Sequence, residues 1–136
     1  MTFDIKTLAL ANLVIQTLLV IMVSGASYLA KKRDLKRHCA IIRIAVPIQI
    51  IAVAAVMLPS MLGYIRIVSP AGFFNIEMLL HHTLGLSVIA VWIYINMVSG
   101  KLIRMPRNFA AVMRLAFILW ILAFFLGLHL YVTIWI

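Results

Sequence analysis

The chain is poor in the residues that most chemistry uses. Among its 136 residues there is one cysteine, Cys39, and there are three carboxylates, Asp4, Asp34 and Glu77. A lone cysteine excludes an internal disulfide and any cysteine-cluster metal site. One isolated glutamate in an apolar setting is not a general acid–base pair. The lack of several intramembrane acids, and of an internal repeat, argues against a proton pump or secondary transporter. No Ser-His-Asp arrangement, Walker motif or Gly-rich phosphate loop occurs. Short alternating strands are missing too, which excludes a closed barrel.

What the chain has is apolar length. It is 66% hydrophobic and only 11% charged, more apolar surface than a water-soluble domain of this size can bury, so the class is integral membrane protein. Four runs reach the roughly 20 residues that cross a bilayer as a helix: about residues 8–30, 40–62, 74–99 and 109–136. The expected fold is therefore all-α, a four-helix bundle forming a single transmembrane domain over residues 1–136. Residues 1–6 lack a basic leader and the first run is too long for a signal h-region, so it reads as a retained helix.

The net charge of +9 is distributed with a bias. Lys31, Lys32, Arg33, Lys36, Arg37 and Arg43 flank the first turn, and Lys101, Arg104, Arg107 and Arg114 flank the third. With Asp34 they leave +9 on one side, while Lys6, Arg66, Asp4 and Glu77 sum to zero on the other. Short basic loops stay cytoplasmic, which predicts an N-out, C-out multi-pass protein of the cell membrane. The basic patches then contact anionic lipid rather than nucleic acid. The outer loop, about residues 63–72, is too short for a substrate-binding module, and no soluble substrate is evident.

The polar residues inside the helices carry the functional reading. Asn12 and Gln16 lie four apart on one face of the first helix and read as contacts between helices. Small residues at 24–27 predict close packing there. His38 closes the basic turn and reads as an interfacial histidine. Pro47 should kink the second helix or be absorbed near its start, and Gln49 falls near mid-bilayer. In the third helix Asn75 is a candidate N-cap with Glu77 in the first turn. His81 shares Glu77's face, whereas His82 points about 100° away, so the two histidines should face different neighbours. Counted along the helices, Asn12, Gln16, Glu77, His81, His82 and His129 all fall in the outer half.

Two cofactor chemistries suit that set. His129 opposite His81 or His82 would ligate haem b, with Gly85 or Gly127 making room for the macrocycle. Alternatively Glu77, His81 and His129 would hold one copper, zinc or iron ion. The eight methionines show no repeated Met-x-x-Met pattern and read as packing residues.

The basic run ending in Lys36-Arg37-His38, the His81-His82 pair opening a helix, and a last helix with Trp120, Gly127 and Tyr131-Val132-Thr133 resemble the YozB-like family of small integral membrane proteins. The likeness covers most of the chain from Leu13 onward. That family is found in bacilli and archaea and is associated with haem-copper oxidase biogenesis; its longer bacterial members have an extra helix and further histidines. The resemblance implies an oxidase-assembly role and makes His38 and His81 the positions to watch. The expected function is a small non-catalytic accessory or assembly subunit of a metal-containing membrane enzyme, of respiratory oxidase or copper monooxygenase type. Larger membrane subunits and the lipid bilayer would be its partners. The alternative is a haem b-binding membrane electron carrier with histidine ligands near the outer face.

Overall fold

The computed structural model describes residues 4–59, 62 and 73–136, with no side chains described for 73–75. Its helices are α1 (Ile5–Lys31), α2 (Leu35–Ala52, continued by a π-helical segment Val53–Met57), α3 (Phe73–Ser99) and α4 (Phe109–Trp135). All four are long and apolar enough to cross a membrane. No strand occurs among the described residues. The all-α bundle expected from the hydropathy is present.

The first turn is tighter than the charge pattern predicted. α2 starts at Leu35 rather than near residue 40, because the Asp34 side chain accepts from the Arg37 amide at 3.2 Å and caps the helix there. Only Lys32, Arg33 and Asp34 remain between the helices. Arg33 adopts a left-handed φ of 61°, and the Arg33 and Asp34 amides donate back to Ala30 and Leu29 at 3.0 Å each. That is the hydrogen-bond pattern with which a helix ends in a left-handed residue. Lys101, also at φ 61°, ends α3 in the same way, with Lys101 donating to Val98 and Leu102 to Met97.

His38 is consequently one turn inside α2, buried, and its Nδ1 donates to the Ala26 carbonyl at 2.8 Å. The interfacial reading of His38 is corrected: the early start of α2 turns the ring into the α1–α2 seam. The small-residue stretch contributes less than expected. Ala26 is fully buried, but Ser24 and Gly25 are exposed, and a Cβ on Gly25 would meet nothing within 4 Å.

Pro47 is absorbed within α2. Farther along, the Leu58 amide donates to the Val53 carbonyl five residues back, which widens the helix into the π turn and leaves Met57 buried beside exposed Leu58. α3 is already helical at Phe73, so Asn75 does not cap it, and Glu77 stands beyond the first turn. The Asn75 side chain and the outer loop of residues 63–72 lie outside the described residues.

The principal packed pairs are α1 with α2, α3 with α4, and α1 with α4, so two hairpins join through α1 and α4. Lys6 Nζ donates to the Trp135 carbonyl at 3.4 Å, which holds both chain ends at one end of the bundle. The buried hydrophobic cluster lies toward the basic turns. Leu19, Val23, Ala45, Val46, Val88 and Ile95 surround Trp92 and Trp120, whose rings meet edge to face at 6.0 Å. Lipid-side hydroxyls are satisfied within their own helices: Thr17, Thr83, Ser87 and Thr133 each donate to the carbonyl four residues back.

Candidate functional site

The half of the bundle that carries the chain ends is hollow. A cavity of about 120 Å³ runs from Ile5 and Trp135 at the helix ends to Gln16, Gln49 and Trp120 in the middle, and all four helices line it. Its floor is polar. Gln16 Nε2 donates to Gln49 Oε1 at 2.7 Å, and Trp120 Nε1 donates to Gln16 Oε1 at 3.4 Å. Gln16 thus contacts a neighbouring helix as expected, and it joins α2 to α4. Asn12 lines the same cavity, with its Oδ1 buried and without a hydrogen-bond partner.

His81 and His82 both line this cavity. Their rings stand 5.3 Å apart between centroids at 87°. The expectation that they serve different neighbours is corrected: their Cβ directions diverge by about 100°, but the rings swing back toward each other. His82 does so by donating from Nδ1 to the carbonyl of Met78, one turn earlier, at 2.7 Å. His81 donates from Nδ1 across to the Ala123 carbonyl of α4 at 2.8 Å. A carbonyl oxygen can only accept, so Nδ1 carries the hydrogen in each ring, and in the neutral imidazole Nε2 keeps the lone pair.

Gly127 explains how α4 admits the His81 ring. A Cβ there would lie 2.6 Å from His81 Cε1, so the glycine is the groove into which the imidazole fits. A Cβ on Gly85 would lie 3.2 Å from Met57 Cε, so this glycine makes room for Met57. The space expected to admit a macrocycle is therefore occupied by two side chains of the chain itself.

Glu77 and His129 meet elsewhere. His129 Nδ1 lies 2.5 Å from Glu77 Oε1, with the Glu77 side chain 8% and the His129 side chain 63% exposed. Neither residue lines the cavity. Glu77 Oε2 is buried without a hydrogen-bond partner. The structure thus brings together two members of the set Glu77, His81 and His129 but commits His81 to Ala123 instead. Among the described residues no group of three His, Cys, Asp or Glu side chains is placed to hold a metal. His129 does not share the cavity with His81 and His82. These two are sequence neighbours on one helix, so they do not form the opposed pair that two axial haem positions need.

Sequence reasoning read the methionines as packing residues and so did not single out the two that line the cavity, Met57 and Met78. Met78 had a signal in its i, i+4 relation to His82. Met57 had none, because the π turn sets its facing. No protein-family model matches the chain, and comparison with curated proteins and with solved structures found no match.

Proposed function

We propose that this is a multi-pass accessory or assembly protein of the cell membrane, which handles a metal ion on behalf of a larger metal-containing membrane enzyme. The observation that carries this reading is the state of His81 and His82. Each ring has its Nδ1–H fixed by a backbone carbonyl, which leaves Nε2 as the acceptor nitrogen, and both residues line one cavity. Histidines that ligate metals are held in this way, the second nitrogen tied to a carbonyl or carboxylate. Two imidazoles with no third His, Cys, Asp or Glu beside them among the described residues are too few to fix a permanent structural ion. They suit an ion that is held and passed on.

The charge bias of the turns supports a topology with the cavity end outside, in which the metal would be handled in the outer half of the membrane. The protein purified in mild detergent from its native membrane is expected to bring larger subunits with it. A strain lacking the chain is expected to assemble a membrane metalloenzyme short of its metal. Recovery only as a free monomer, with the metal content of the membrane fraction unchanged in the deletion strain, would overturn the reading.

A further inference from the structure

We propose that Met57 and Met78 complete the site with His81 and His82, and that the ion it takes is monovalent copper. The inference rests on the metal-handling reading above and specifies its ion and ligands. All four residues line one cavity and come from two helices. Met78 lies one turn before His82 on α3, and its carbonyl is the group that fixes the His82 ring. Met57 reaches α3 from the π segment at Gly85, one turn beyond the histidines, with its thioether carbon against the glycine.

The donor set selects the ion by softness and by charge. Thioethers are soft ligands that favour monovalent copper, and imidazole is compatible with it, whereas hard cations require oxygen ligands. Both imidazoles and both thioethers are neutral, and Glu77 is engaged by His129 outside the cavity. An ion bound here therefore keeps its full charge in an apolar environment. The cost of burying it rises with the square of that charge, so a divalent ion meets roughly four times the penalty of a monovalent one. Binding releases no proton, because none of the four donors carries a hydrogen on its ligating atom. The unpartnered Asn12 Oδ1 on the same cavity offers the ion, or a water beside it, one neutral oxygen.

The test is an anaerobic titration of the purified full-length protein in detergent with monovalent copper, competed by a chromogenic chelator, with zinc titrated in parallel. One copper per chain is expected, with little zinc. His81→Ala and His82→Ala should each weaken binding by about tenfold or more, and so should Met57→Leu with Met78→Leu. Leucine for methionine preserves volume and should leave thermal unfolding nearly unchanged. X-ray absorption at the copper edge should show sulfur and nitrogen neighbours, with the sulfur lost in the double methionine variant. Equal copper affinity in that folded variant, a copper shell without sulfur, or zinc bound as tightly as copper would overturn the proposal. Copper bound as described by a protein that purifies without larger subunits would sink the assembly reading and leave this site standing. Zinc in place of copper, with the larger subunits present, would do the reverse.

Discussion

A methyl group on Gly127 would stand 2.6 Å from Cε1 and 3.2 Å from Nδ1 of His81, so the imidazole fills the volume that any side chain there would need. The same ring donates to Ala123 one turn away on the same helix. Gly127→Ala should therefore push the ring out of its groove and break that bond, at about 1–3 kcal/mol of overpacking. Gly85→Ala meets only the flexible end of Met57 at 3.2 Å, and should cost less than about 1 kcal/mol. Unfolding of both variants in detergent checks the difference. Equal losses would mean that the His81 groove is not tight.

Gln16 and Gln49 join α1 to α2 by a 2.7 Å hydrogen bond at the cavity floor. Side-chain hydrogen bonds between membrane helices average about 0.6 and reach about 1.7 kcal/mol by double-mutant cycles. A cycle of Gln16→Leu and Gln49→Leu should give a coupling energy in that range, and Trp120→Phe, which loses a bond to the same Gln16 side chain, should weaken the fold non-additively with Gln16→Leu. A coupling energy of zero would show that the two amides act separately.

His38 is 7% exposed and bonded to Ala26. His38→Leu keeps an apolar side chain in the seam while removing the donor, and should cost about 0.5–1.5 kcal/mol. A variant as stable as the parent protein would return His38 to the membrane surface.

These residues mark the limits of what the sequence disclosed. Hydropathy alone gave four spans, because a bilayer demands apolar length, and the basic turns gave the hairpins. The clustering of Asn12, Gln16, His81 and His82 in the half of the bundle that carries the chain ends was legible by counting residues along each helix. Which of them meet was not. That depends on helix rotation, and two features with weak sequence signals set it: the Asp34 cap, which starts α2 early and buries His38, and the π turn, which aims Met57 inward. The partnership of Glu77 with His129 rather than with His81 has the same origin. One helix face carries both Glu77 and His81, but α4 offers a side chain to the first and a carbonyl and a glycine to the second.

Arg33 and Lys101 both occupy left-handed backbone, φ 61° in each case, at the ends of α1 and α3. Glycine is the residue that suits this conformation, which costs other residues roughly 1–2 kcal/mol. The chain instead keeps a cation at each, where both turns belong to the basic side of the molecule. Positive charge favours retention of short loops in the cytoplasm, so under the proposed topology orientation competes with stability at these two positions. Arg33→Gly and Lys101→Gly should each raise stability, by about 1 kcal/mol at most because glycine also loosens the unfolded chain. The double variant should also weaken the orientation. A cysteine placed at Lys32 in a Cys39→Ala background should resist a membrane-impermeant thiol reagent applied from outside and react once the membrane is opened. With Arg33 and Lys101 both replaced by glycine, a fraction should become reactive from outside. Labelling from outside in the background with both cations intact would invert the topology, and destabilisation by the glycines would mean that the cations make contacts that outweigh the backbone strain.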